Sequence, residues 1–319
     1  MAAARNLVLV IIASVAVISL VFNVSYLYET ATATLKIVKG QNCPEVSHEA
    51  AKSLQTYKDE RFHLRSMCYH ISFYQLQDIA VWDNFQAAAK HCESAISLKT
   101  DHMIAYKNDD EVKYHMDPID LGQVKDCNIV TLGIGHDVTV EKKLKEKFNE
   151  HCKFRGADPI TLVNEEIYKP IGEYFPFAVG NDTKVEITSV KEDPNSVAYT
   201  NKNFTHVEFV EFLRDRAKMP KGEVIDQLLL DIEYAEFAML DYFYLGNKLD
   251  NAGYTICQIN GEFHSPSESQ KTDFGKFIKQ IAKDGRYLFF HLENVGHIRL
   301  YFVNVQDDRC YERYVKGRI

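Results

Sequence analysis

In IDQLLLDIEYAEFAML, residues 225–240, Asp231, Glu233 and Glu236 follow and interrupt an apolar run that otherwise reads as buried. An ionised carboxylate removed from water is costly unless it is paired, hydrogen-bonded or set at the mouth of a cleft. A second apolar run, CQINGEFH at 257–264, ends the same way, with Glu262 and His264 two residues apart. Two further features have spacing that suits a ligand. LGIGHD places Gly133 and Gly135 directly after an apolar run, and Asp158 in GADP follows Gly135 by 23 residues. Such glycines let the backbone turn and approach a ligand, and a carboxylate at that distance can accept the hydroxyls of a ribose. The turn lacks the third glycine of a dinucleotide fingerprint, and the chain has no GK[ST] phosphate loop. A nucleoside without phosphates fits better, and S-adenosylmethionine is the candidate. Asp231 and His264 are then candidate general bases toward a hydroxyl acceptor. Glu236 reads as an acid stabilised at a helix N-terminus, and His291 and His297 read as structural. No ligand spacing among Asp231, Glu233 and Glu262 requires a metal, and none is expected.

These residues need strand ends to hold them. From Asn128 onward short apolar runs alternate with helical patterns: NIVTLGIG, a helix VEKKLKEKFNEHC, CKFRGADPI, YFPFAVG, IDQLLLDIE with a helix behind it, and GYTICQING before the helix DFGKFIKQIAKDG. YLFFHLE and IRLYFVNV close the series, joined by a short turn around Gly296. Continuous apolar runs mark strands covered on both faces, and their alternation with helices predicts a doubly wound, mostly parallel α/β sheet. The last two strands are too close in sequence for a crossover and must form an antiparallel hairpin. The count is seven strands. Residues 44–100 read as helical, and residues 101–126, with Pro118 and Gly122, as a connector.

The bulk numbers bound the rest. A net charge of −8, without any run of Lys and Arg, argues against a nucleic-acid partner. The apolar run at 7–28 predicts a transmembrane signal anchor behind a cytosolic residues 1–6, with a cleaved signal peptide as the competing reading. Residues 29–124 then form a stem and helical segment, and residues 125–319 the domain that carries the chemistry. Either reading sends the chain into the secretory pathway, as a type II membrane protein of the Golgi or endoplasmic reticulum in the first case. The sequons at Asn181 and Asn203 agree, as do seven cysteines beyond the apolar run. None of the cysteines forms a CxxC pair, and the odd count leaves at least one thiol outside an internal pair. Cys127, Cys152 and Cys257 read equally well as buried small hydrophobes.

GIGHD, GADP, FAVG and above all the carboxylate segment resemble the FkbM-type S-adenosylmethionine-dependent methyltransferases, in particular the branch abundant in nematodes. That family's fourth strand ends in Asp-Val-Glu-Gly-Ala-Glu; Asp231, Ile232, Glu233, Ala235 and Glu236 match, and Tyr234 stands in place of glycine. The resemblance covers roughly residues 125–310. It implies a Rossmann-like seven-stranded methyltransferase sheet with the cofactor over its first three strands. Gly133, Gly135, His136 and Asp137 would line the methionine side, Asp158 would hold the ribose, and Ala178 with Val179 would flank the adenine. Asp231, Glu233 and His264 would stand beside the transferred methyl, facing a small-molecule or glycan hydroxyl. Three departures count against turnover: Thr131 where an acid is common, Asp137 where a glycine is usual, and the bulky Tyr234. A glycan on Asn181, next to FAVG, would crowd the cofactor. Alternatives are an inactive methyltransferase-shaped interaction protein of the secretory pathway or cell surface, and a membrane enzyme facing the cytosol.

Overall fold

The computed structural model describes residues 58–319 except 109, 125 and 191–199. The apolar run at 7–28, the stem, Cys43 and the start of the expected helical segment lie outside the described residues. Among the described residues no helix is long and apolar enough to cross a membrane.

Seven strands form the central sheet: β3 (Cys127–Leu132), β4 (Cys152–Ala157), β5 (Glu173–Phe175), β10 (Gln227–Leu230), β12 (Gln258–Phe263), β13 (Tyr287–Asn294) and β14 (Ile298–Asn304). Their order is β13-β14-β12-β10-β3-β4-β5, parallel except where β14 pairs antiparallel with β12 and β13; the two-residue strands β9 (Val224–Ile225) and β11 (Thr255–Ile256) pair parallel with each other just ahead of β10 and β12. The expected fold class and closing hairpin are therefore present. All six residues of β3 are buried, and they alternate between two layers. Ile129 packs with Leu144, Phe148 and Phe154, whereas Val130 and Leu132 join the opposite core. Burial on both faces, worth about 1.5–3 kcal/mol for each large apolar side chain, accounts for the unbroken apolar pattern.

Helices α3 (Thr139–Phe148) and α4 (Thr161–Tyr168) contribute to the first layer. The second holds α1 (Glu60–Tyr74), α2 (Asp78–Ala95) and α5 (Glu268–Asp284). The first two helices are thus part of the sheet's cover. Ser66 donates to the Ala282 carbonyl at 2.7 Å and Tyr69 to that of Phe289 at 3.1 Å, while Phe85 meets Phe289 edge-on.

Two regions differ from the sequence expectation. The expected connector contains a hairpin, β1 (Met103–Lys107) with β2 (Val112–Met116). Amide side chains hold β2 to the face of the central sheet. Asn260 accepts from the Tyr114 N–H and donates to its carbonyl, both at 2.8 Å, and Gln258 does the same for Met116 at 2.7 and 3.1 Å. Gln227 adds a bond to the Tyr114 carbonyl and one to the buried His115. YFPFAVG, expected as one strand, is two. β5 edges the central sheet, and β6 (Ala178–Gly180) joins β8 (Thr200–Glu208) and β7 (Lys184–Val190) in a separate three-stranded sheet, ordered β6-β8-β7. Asn181 and Asn203 are both exposed on this sheet.

Disulfides join Cys68 to Cys92, Cys127 to Cys152 and Cys257 to Cys310. The reading of Cys127, Cys152 and Cys257 as plain buried hydrophobes is corrected: each is buried, and each is bonded to a partner cysteine.

Candidate active site

Strand order reverses between β3 and β10, and ligands of open α/β sheets bind outside the carboxyl ends at such a point. A cleft of about 920 Å³, counted to its open mouth, lies there. Its walls include Gly133, Gly135 and His136 after β3, Asp158 after β4, Ala178 and Val179 of β6, and Asp231 with Glu233 after β10. Residues from four separate stretches, chosen for their chemistry, thus border one space.

The glycine turn is fixed by sterics. Gly133 has φ +82°, and a Cβ on it would lie 1.6 Å from the Asp231 carbonyl oxygen, so no other residue fits. Gly135 has φ +63°, and a Cβ there would meet nothing within 4 Å. The first glycine locks the turn under β10, and the second leaves room in the cleft. Asp158 holds the turn from the other side. Its Oδ2 accepts from the N–H groups of Ile134 at 2.8 Å and Gly135 at 3.4 Å, and its Oδ1 from that of Ile160 at 2.7 Å. A carboxylate offers about four acceptor positions, so roughly one remains for a ligand hydroxyl. Asp158 is therefore first a brace for the turn. Asp137 accepts from the Thr139 N–H at 2.8 Å just ahead of α3 and is not among the cleft-lining residues. Nor does Asn181 line the cleft.

Thr131 replaces an acid but does not leave its surroundings without one. Its hydroxyl donates to buried Glu141 of α3 at 3.0 Å, and burial raises that carboxyl above the ordinary range.

The other wall is dense in charge. His264 Nε2 lies 3.5 Å from Asp231 Oδ1, 3.6 Å from Glu233 Oε2 and 4.0 Å from Glu262 Oε1, and its Nδ1 donates to Glu236 Oε1 at 2.8 Å. Glu236 is wholly buried and also accepts from the Ile232 N–H at 3.1 Å. Its role is thus a clamp on an imidazole and on the turn after β10. Burial and the Glu262 charge raise Asp231 well above the carboxylate range, against Lys113 and His264. Burial and Glu111 push Glu262 up to about 7. Burial alone would lower His264, but the hydrogen bond to Glu236 and the carboxylates around it raise it to about 9.

Four residues of this wall had no expected role in the chemistry. Glu111 and Lys113, 2.7 Å apart, arrive on the β1–β2 hairpin, and Arg299 and His297 on the closing hairpin. His297 Nε2 stands 2.5 Å from Glu262 Oε1. His291 instead packs on the Tyr114 ring at 4.4 Å. Glu233 and Tyr234 have φ of +48° and +73°, the region where glycine is at ease. This accounts for the glycine in the family signature. Tyr234 remains 46 % exposed with its ring 5.6 Å from that of His264, above the polar wall.

The Methyltransferase FkbM domain model matches residues 106–309, well over half of the chain. The chain belongs to the FkbM methyltransferase family. S-adenosylmethionine is the cofactor of FkbM methyltransferases and of this domain. The matched region starts within β1, so the hairpin bearing Glu111 and Lys113 belongs to the FkbM domain. No curated protein matches the chain. Among solved structures, Aeropyrum pernix fibrillarin in complex with natively bound S-adenosyl-L-methionine matches 65% of this chain and 85% of its own, at 11% identity and a TM-score of 0.30. That likeness is too slight to carry weight for the site.

The cleft fits the cofactor on its own terms. It has open space at Gly135, a spare acceptor position on Asp158, apolar Ala178 and Val179 on one side, and carboxylates where a cation would sit.

Proposed function

We propose that this FkbM domain is an active O-methyltransferase of the secretory pathway that acts on a hydroxyl of a small molecule or glycan. The observation that carries the reading is the meeting of Gly133, Gly135, Asp158, Asp231 and Glu233 around one cleft. Asp158 and the turn it braces would hold the ribose and methionine portions, with Ala178 and Val179 against the adenine. Bound S-adenosylmethionine supplies an electrophilic methyl group on a sulfonium, which leaves as S-adenosylhomocysteine once the carbon–sulfur bond breaks.

The chain's own residues do the rest. Glu233 presents negative charge toward the cationic centre and receives the proton that the hydroxyl loses as its oxygen forms the new bond to carbon, while the raised Asp231 carboxyl would hydrogen-bond the acceptor beside it. Positioning in such a displacement is worth up to about 7–11 kcal/mol, and a general base about 100- to 10,000-fold. Glu236 keeps His264 in place behind them. The secretory setting is supported by three disulfides and by exposed Asn181 and Asn203, since disulfides persist where the medium is oxidising. The anchor at 7–28 would tether the domain to the membrane.

The test is calorimetric titration of the full-length chain with S-adenosylmethionine, followed by transfer of labelled methyl to a panel of glycan and small-molecule hydroxyl acceptors. Binding with turnover on any of these acceptors supports the reading. An absence of binding would overturn it in favour of a methyltransferase-shaped interaction protein.

A further inference from the structure

We infer that Asp231, Glu262 and His264 form a site for one divalent transition-metal ion, with Glu233 in reach as a further ligand. One donor atom from each of the three lies within 4.8 Å of the others. Carboxylate oxygens from two strand ends converge on His264 Nε2 at 3.5, 3.6 and 4.0 Å. Neighbouring ligands around an ion with bonds of about 2.0–2.2 Å are separated by roughly 3–4 Å, so small side-chain rotations suffice.

A second observation is independent of that spacing. Glu236 reaches the cluster from behind, wholly buried, and only one of its oxygens is used. Oε1 takes the Nδ1–H of His264, while Oε2 is buried and has no hydrogen-bond partner. A carboxylate on the far nitrogen of an imidazole is the usual support of a metal-bound histidine, since it fixes the ring and makes the other nitrogen a better donor. Leaving a wholly buried carboxylate half-satisfied is costly unless a positive charge stands close, and here a single imidazole is shared among four carboxylates.

The charge balance agrees. Asp231, Glu233, Glu236 and Glu262 surround a single imidazole. The cations nearby are committed: Lys113 to Glu111 at 2.7 Å, and Arg299 shared among Glu262 at 3.4 Å and Glu111, Asp110 and Glu293 at 4.0 Å each. His297 meets Glu262 alone among these carboxylates. A divalent ion supplies positive charge to this wall, displacing the proton on Nε2 and those shared among the ligand carboxyls as it binds. One imidazole nitrogen with carboxylate oxygens suits Mn²⁺ or Zn²⁺ better than Ca²⁺ or Mg²⁺.

Binding of the ion does not depend on the methyltransferase reading, but its task does. Beside the cleft it would hold the acceptor's oxygen and increase its acidity, Asp231 would serve as a ligand, and the proton would pass to Glu233.

The experiment is a titration of chelator-treated full-length chain with Mn²⁺, read by loss of the free-ion electron paramagnetic resonance signal. The expected result is one tight Mn²⁺ per chain, with affinity lowered at least ~10-fold in Glu262→Gln and His264→Ala and unchanged in Glu293→Gln. Glu236→Gln, which keeps the shape of the clamp, should weaken binding to a similar degree and serves where another variant misfolds by circular dichroism. No bound Mn²⁺, or binding that these substitutions leave intact, overturns the inference. A parallel titration with S-adenosylmethionine separates the two proposals: cofactor binding without Mn²⁺ removes only the ion, and Mn²⁺ binding without cofactor removes only the methyltransferase reading.

Discussion

The two walls of the cleft are built on opposite principles. On the β3–β4 side, three backbone N–H groups converge on Asp158, and the turn they fix is complete without a ligand. On the β10–β12 side, four carboxylates crowd His264, and one buried oxygen of Glu236 has no hydrogen-bond partner. The first wall is preorganised, and backbone donors bear on the carboxylate at little further cost in ordering. The second is electrostatically incomplete, and it awaits something positive. A transferase gains from this division, because one wall must recognise an invariant cofactor and the other must respond to what is bound.

The sharpest way to break the first wall is Gly133→Ala. Its Cβ would overlap the Asp231 carbonyl, so the β3 turn and β10 must part. The expected loss is at least about 3 kcal/mol of stability, from overpacking and a disfavoured φ together, with loss of S-adenosylmethionine binding. Denaturant unfolding and calorimetry measure the two effects.

Acid should expose the difference between the walls next. His115 is buried on β2 and bonded to Gln227 at the start of β10, the strand that ends in the second wall, and burial lowers its pKa to about 4. Between about pH 6.5 and 4 the unfolded chain binds a proton that the folded chain refuses, so stability falls as pH falls through that window and this contribution levels off below it. The size is about 3 kcal/mol. Comparing chemical denaturation at pH 7 and pH 4.5 for the parent and His115→Asn checks it, because the variant should lose much of this slope.

Asp158→Asn should weaken cofactor binding by about 10- to 100-fold and cost the turn about 1.5–3 kcal/mol of stability, since charge-assisted bonds to backbone N–H groups are lost from the first wall alone. Equal loss in Mn²⁺ affinity would show that the walls are not independent. The smallest effect is expected from Tyr234→Gly. Relief of the +73° backbone and the added freedom of the unfolded chain should nearly cancel, within about 1 kcal/mol, while KM for the acceptor shifts and cofactor affinity does not.

Much of the first wall could be read from the sequence. Glycines after an apolar run and an acid 23 residues on carry their spacing openly. What Asp158 does there could not be read, because its partners are backbone N–H groups common to every residue. The Asp231 and Glu233 positions were visible as polar endings to a buried run. The hairpin that delivers Glu111 and Lys113 was hidden, since VKYHM in β2 is held to the sheet by Gln227, Gln258 and Asn260 instead of an apolar face. The place of His297 was hidden for a related reason: only the register of β14 against β12, which pairs Arg299 with Glu262, brings the closing turn to the cluster.

Two of the cystine links are placed away from the reacting end. Cys127 and Cys152 begin two neighbouring parallel strands, and Cys257 immediately precedes a third, whereas the cleft lies past the strands' other tips. Reducing these buried bolts, which a thiol reaches only when the chain opens, should cost the fold several kcal/mol in all, at roughly 3 to 4 kcal/mol for loops of 25 and 53 residues, without touching a single ligand-facing group. Protein produced in a reducing host would then fail by melting early, at body heat and in dilute denaturant, rather than by losing its chemistry while it stays folded.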